Sequence, residues 1–151
     1  MFYLIAIVVL SLVDQITKLL LLHNPGMGGQ TEVISHFLYF NVIKNEGVAF
    51  GMLDNAQSVV IALTAFLTGA IVVYIVLKRK SERKIILIPL TMIAGGAAGN
   101  LIDRIRLGYV TDFIDVHIWP FIFNFADICV VLGCLILLLA VLFPGRGSRR
   151  K

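Results

Sequence analysis

The sequence predicts an all-α membrane protein, a four-helix transmembrane bundle carrying a small extracytoplasmic β-sheet. Three observations predict it. The 151 residues are 59% hydrophobic and 15% charged, with a mean hydropathy of +0.95, far more apolar than a water-soluble domain. Four stretches are long and apolar enough to cross a hydrocarbon core, which takes roughly 20 helical residues. Between the first two stretches, β-branched and aromatic residues are interleaved with polar ones in a strand-like pattern. No linker, repeat or low-complexity tract divides the chain, so a single integral membrane domain is expected over 1–151.

The first helix is expected over 2–22. It has no basic residue ahead of its apolar run and carries Asp14 and Lys18 within it, which marks a retained span and not a secretion signal. The loop over 23–57 opens with "NPGMGG" (24–29), a turn sequence, and continues with "VISHFLYFNVIKNEGVAF" (33–50), read as strands that include Ser35 and His36. Within it "NEG" (45–47) is expected to turn tightly. The second, third and fourth helices are expected over 58–77, 85–102 and 125–143, with a second long loop over 103–124. Trp119 and Pro120 suit an interfacial turn there.

Basic residues set the orientation. Five lie in "KRKSERK" (78–84) and four in the tail "GRGSRRK" (145–151), and Lys and Arg near helix ends stay on the cytoplasmic side. Both termini are therefore expected in the cytoplasm, and the loops over 23–57 and 103–124 outside. Topology and anionic inner-leaflet lipid account for most of the basic charge, so the pI of about 9.3 implies no nucleic-acid partner.

Of nine acidic residues, only Glu82 falls on the cytoplasmic side. Asp14 and Lys18 have the i,i+4 spacing of a helix ion pair, which suits a supporting role. Gly95 and Gly99 form a small-xxx-small face for close helix approach, but that face does not explain Asn100, Asp103 and Arg104. In "FNFAD" (123–127), Asn124 as N-cap would place Asp127 at the third helical position, a capping-box arrangement. The positive end of the helix dipole favours a charged carboxylate there. An uncompensated aspartate in the membrane costs about 2.5–3.5 kcal/mol on insertion scales, so an intramembrane acid is a functional hypothesis by default. The second loop offers Asp112 and Asp115 to meet Asp127, and spacing does not choose between them. Cys129 and Cys134 are expected as buried, unpaired thiols. The histidines are isolated, so neither a metal nor a cofactor is expected.

Two carboxylates at close range share a proton, leaving one acid and one base at the same pH. That suffices to activate water against a peptide carbonyl without a metal or nucleophilic side chain. Ser35 and His36, as strand neighbours, would point to opposite faces, and Cys129 has no base nearby. A proton-coupled transporter would spread its acids through the bilayer depth, whereas these gather at one face. An assembly subunit would account for the glycines and none of the acids.

The ordered set "DQITK" (14–18), "NEGVAF" (45–50), "GNLIDR" (99–104), "VTDF" (110–113) and "FNFAD" (123–127) resembles the bacterial lipoprotein signal peptidases, the signal peptidase II family. The resemblance covers nearly the whole chain. It implies an aspartic endopeptidase of the bacterial cytoplasmic (inner) membrane that cuts diacylglyceryl-modified prolipoproteins before the lipidated cysteine. It implies a catalytic pair at Asp112 and Asp127, substrate-binding or bracing residues at Asn45, Asn100, Asp103, Arg104 and Asn124, and a helix pair at Asp14 and Lys18. It also implies an outward β-cradle, a site near the outer face, membrane lipid as partner, and activity as a monomer. The chain departs from the family pattern at Val48, Thr111 and Ile128.

Overall fold

The computed structural model of the protein describes residues 1–23, 30–47 and 56–143. The turn expected at 24–29, residues 48–50 of the second motif and the basic tail lie outside the described residues. Four helices are long and apolar enough to cross a membrane: α1 (Phe2–Leu22), α2 (Ala56–Lys78), α3 (Lys84–Leu107) and α4 (Phe125–Leu142). Four strands, β1 (Thr31–Ile34), β2 (Leu38–Asn45), β3 (Val110–Val116) and β4 (Ile122–Phe123), form one antiparallel sheet in sequence order. The protein is thus a helical membrane protein with a small β-sheet.

The apolar side chains on the outside of the helices, such as Phe66, Leu77 and Val131, are what a lipid-facing surface requires. α3 is the central element and packs against α1, α2 and α4. Toward one end of the bundle the core is apolar, built from Ile7, Ile75, Leu87 and Ala94. At the other end α1 and α3 finish, α4 begins, and β3 lies against α1 and α3. The buried residues there are mostly polar.

Glycines allow the close approach of the helices. Gly95 and Gly99 both face α1, where an added Cβ would lie 2.8 Å from the Leu10 Cβ and 2.6 Å from the Asp14 Oδ2. Gly96 faces α4, where a Cβ would collide with the Ala126 carbonyl oxygen. That atom belongs to helix backbone and cannot rotate away. Gly96→Ala is therefore expected to lower stability by about 1–3 kcal/mol, read as a fall in unfolding temperature in detergent. Gly69→Ala, with nothing within 4 Å of the new methyl, leaves that temperature unchanged or raises it.

Two sequence expectations are corrected. Hydropathy ends the third helix at Ile102, but α3 continues to Leu107. Its last turns are amphipathic: Asp103 points inward and is buried, and the Arg106 Nη1 donates to the Gln15 Oε1 of α1 at 3.3 Å. The helix stops at Gly108, whose φ of 84° suits a residue without Cβ, with its N–H donating to the Arg104 carbonyl. Secondly, Ser35 and His36 belong to a turn over 35–37 and not to a strand. The Phe37 N–H closes onto the Ile34 carbonyl at 3.0 Å. His36 takes a φ of 56°, and its N–H donates to the Glu32 Oε1 at 2.7 Å. A histidine in the left-handed position carries none of the glycine signal by which such a turn is recognised.

Candidate active site

The polar end of the bundle is built outward from α1. Ser11, Asp14, Gln15 and Lys18 are all buried, and their spacing puts them on one helix face toward α3. The Lys18 Nζ lies 2.8 Å from the Asp14 Oδ2 and 2.9 Å from the Asp103 Oδ2, and donates to the Asn100 Oδ1 at 2.9 Å. All three ammonium protons are therefore placed. Gln15 donates to the Asp103 Oδ1 at 2.8 Å and to the Gly99 carbonyl at 3.2 Å. The other Asp103 oxygen also accepts the Thr111 N–H at 3.1 Å, which fixes the start of β3 against the end of α3.

α4 begins as its sequence indicates. Asn124 is the N-cap, its side chain accepting the Asp127 N–H at 2.9 Å, while the Asp127 Oδ2 accepts the Asn124 N–H at 3.1 Å. A third N–H of this helix start, that of Ala126, donates to the Asp14 Oδ1 at 3.0 Å. Asp14 thus satisfies the end of a helix far away in sequence while neutralising Lys18.

Two amides connect the acids. The Asn100 Nδ2 donates to the Asp127 Oδ1 at 2.8 Å, and the Asn124 Nδ2 donates to the Asp112 Oδ1 at 2.6 Å and to the Asn100 Oδ1 at 3.1 Å. The orientation of each amide follows from its partners. An ammonium can only donate, so Lys18 must face the oxygen of Asn100, leaving its NH2 for Asp127. In the same way the Asp127 N–H must face the oxygen of Asn124, leaving its NH2 for Asp112. Asn45, at the end of β2, donates to the Asp112 Oδ2 at 2.7 Å. Its Oδ1 accepts the Gly47 N–H at 2.9 Å, forming the expected tight turn, with Gly47 at a φ of 72°.

Asp112 is 1% exposed. Burial pushes its carboxyl above the ordinary carboxylate range, and the nearby charge of Asp127 adds to that against the opposing hydrogen bonds from Asn45 and Asn124. Asp115, the alternative that spacing left open, is half-buried and accepts instead from Gln30 and Asn41 near the sheet surface, at 3.4 and 3.3 Å. The structure therefore brings Asp14, Lys18, Asn45, Asn100, Asp103, Asp112, Asn124 and Asp127 into one network. The Arg104 guanidinium lies beside the 45–47 turn, 3.7 Å from where a Cβ on Gly47 would be. Among the described residues its side chain makes no hydrogen bond. Cys129 is buried, but Cys134 is exposed on α4 where a buried thiol was expected, and both are unpaired. No group of three or more His, Cys, Asp or Glu among the described residues could hold a metal ion.

Sequence reasoning missed Gln15 and Ser11, whose hydroxyl donates to the Gly95 carbonyl at 2.9 Å. The signal was available, because residues 11, 14, 15 and 18 are the i, i+3, i+4, i+7 positions of one polar stripe on an otherwise apolar helix.

A bundle of membrane-spanning helices with a carboxylate, amide and ammonium network at the end that holds its sheet defines a polytopic membrane protein with a built polar site. The comparisons with known proteins make the class specific. Residues 5–143 match the family model described as Signal peptidase (SPase) II, and the chain belongs to that family, which makes it a membrane peptidase. It is 42% identical over 143 residues to the lipoprotein signal peptidase of Caldanaerobacter subterraneus subsp. tengcongensis, covering 93% of this chain and 97% of that one. It is 38% identical over 150 residues to the lipoprotein signal peptidase of Moorella thermoacetica, covering 99% and 98%. A solved bacterial membrane enzyme, at 30% identity, superposes with a TM-score of 0.84 over 99% of this chain and 93% of that one.

Proposed function

We propose that this protein removes signal peptides from diacylglyceryl-modified prolipoproteins, cleaving before the lipidated cysteine with water activated by Asp112 and Asp127. The observation that carries the reading is the amide chain Asp112–Asn124–Asn100–Asp127, which holds two carboxylates at one end of the bundle. Asp127, in the first turn of α4, serves as the general base and takes a proton from water. Asp112, whose buried carboxyl favours the protonated form, begins as the acid and polarises the scissile carbonyl. Proton transfer to the departing amine then completes cleavage with no covalent intermediate. Arg104, beside the Asn45 turn, holds the substrate backbone through its forked donors. The protein acts in the bacterial inner membrane as a monomer, and the basic 78–84 segment sets the cytoplasmic side, which puts the site near the outer face.

Purified protein in lipid is expected to cut a diacylglyceryl peptide immediately before its modified cysteine. An intact peptide after prolonged incubation sinks the reading. The pH dependence is a second measurement. Activity requires a protonated Asp112, so kcat/KM falls toward high pH as Asp112 ionises. Because Asp112 is raised, the alkaline fall lies above the range of an exposed carboxylic acid. A profile that rises to a plateau with no such fall counts against Asp112 as the acid.

A further inference from the structure

We infer that a groove of about 360 Å³ beside Asp127 holds an acyl chain of the substrate's diacylglyceryl group, an assignment that rests on the proposed function. One wall is the face of α4 that carries Asp127, Ile128, Val131 and Leu132. These are i, i+1, i+4 and i+5 positions, so the wall runs about 7 Å down the helix from the carboxylate. The other wall is aromatic: Trp119 and Phe121 from the connection between β3 and β4, and Phe123 from β4 itself. The Trp119 and Phe121 rings lie 6.4 Å apart.

Two features select the occupant. Trp119, Phe121 and Val131 are 59%, 65% and 63% exposed, and Val131 lies on a spanning helix, so the groove opens sideways to hydrocarbon and takes an apolar chain. The carboxylate at its head then decides which chain. A phospholipid seated there would bring its anionic phosphate toward Asp127, and among the described residues none that lines the groove is basic. The diacylglyceryl cysteine has only ester and thioether groups at that point, without charge. A thioether and a glycerol unit also separate its chains from the bond to be cut, so a chain in this groove keeps that bond close to Asp127.

The test is photolabelling of the full-length protein in nanodiscs with a diacylglyceryl peptide that carries a diazirine in one acyl chain. Label is expected on Phe121, Ile128, Val131 or Leu132 and is expected to persist in excess phosphatidylglycerol. Label displaced by that lipid, or found mainly on α2, overturns the assignment. So does groove label arising only from a diazirine placed in the signal-peptide segment. As a kinetic arm, Val131→Trp narrows the groove and is expected to lower the ratio of kcat/KM for long-chain over short-chain diacylglyceryl peptides about tenfold. Leu63→Trp, on the exposed surface of α2, keeps the native ratio. An unchanged ratio in an active Val131→Trp protein also overturns the assignment. Labelling reads binding without turnover. Groove label with no cleavage by the native protein would support the groove and count against the peptidase reading.

Discussion

Asp112→Asn and Asp127→Asn are each expected to lower kcat for a diacylglyceryl peptide by roughly 10³-fold or more, with the double variant falling little further. The magnitude follows from the division of labour. In the proposed mechanism one carboxyl polarises the carbonyl and the other takes the proton of water, so losing either stops the same step. Each amide replacement keeps the shape of its carboxyl, leaving the fold available for comparison. Stability provides the control. Asp112 binds its proton more tightly in the folded protein than an unfolded aspartate does. Its ionisable group therefore favours the folded state below the ordinary carboxylate pKa, and this contribution is lost as pH rises through the raised value. Asp112→Asn keeps an acceptor for one of its two amide partners and sets its NH2 against the other, so a modest fall in unfolding temperature is expected beside the loss of turnover, as measured by cleavage rate and thermal unfolding on the same preparation. Substantial turnover by a folded Asp112→Asn or Asp127→Asn protein would remove that residue from the chemistry.

Lys18→Met is expected to produce the largest loss of stability of any single substitution in the network. The ammonium touches two buried carboxylates, Asp14 and Asp103, and the Asn100 oxygen. Removing it leaves two anions near each other with only the uncharged Gln15 amide donating to both. Breaking one buried pair costs about 3–5 kcal/mol, and this change breaks two. The effect should also reach the chemistry: with Lys18 gone, the Asn100 oxygen keeps only the Asn124 amide as donor, so the Asn100 NH2 is held less firmly on Asp127. Asp103→Asn in the Lys18→Met background removes one of the stranded charges and is expected to recover part of the unfolding temperature. It does not restore the Lys18 hydrogen bond to Asn100, so catalysis recovers less than stability. Equal recovery of both would show that Lys18 acts on the fold alone.

Much of this arrangement was legible along the chain. Apolar runs of bilayer length mark the spans because a membrane helix must cover its own backbone polar groups and meet lipid with apolar side chains. The capping box at Asn124 and Asp127 and the ion pair of Asp14 with Lys18 were readable because both are local, three and four residues apart. The strands over 31–34 and 38–45 were visible as a pattern. Their turn was not, since His36 reaches its left-handed conformation through a hydrogen bond to Glu32.

The sequence by itself determined the class of protein, the number of spans and the residue types from which a site could be built. It could not set Asp112, and not Asp115, against the Asn124 amide, extend α3 past its charges, or show that Asp14 meets the start of α4. Those outcomes depend on contacts between residues up to 112 positions apart in the chain. They were decided by tertiary structure, because a charge or amide buried in a lipid-covered bundle must find its partner within the protein, and only the packing of α1, α3, α4 and β3 settles which partner is within reach.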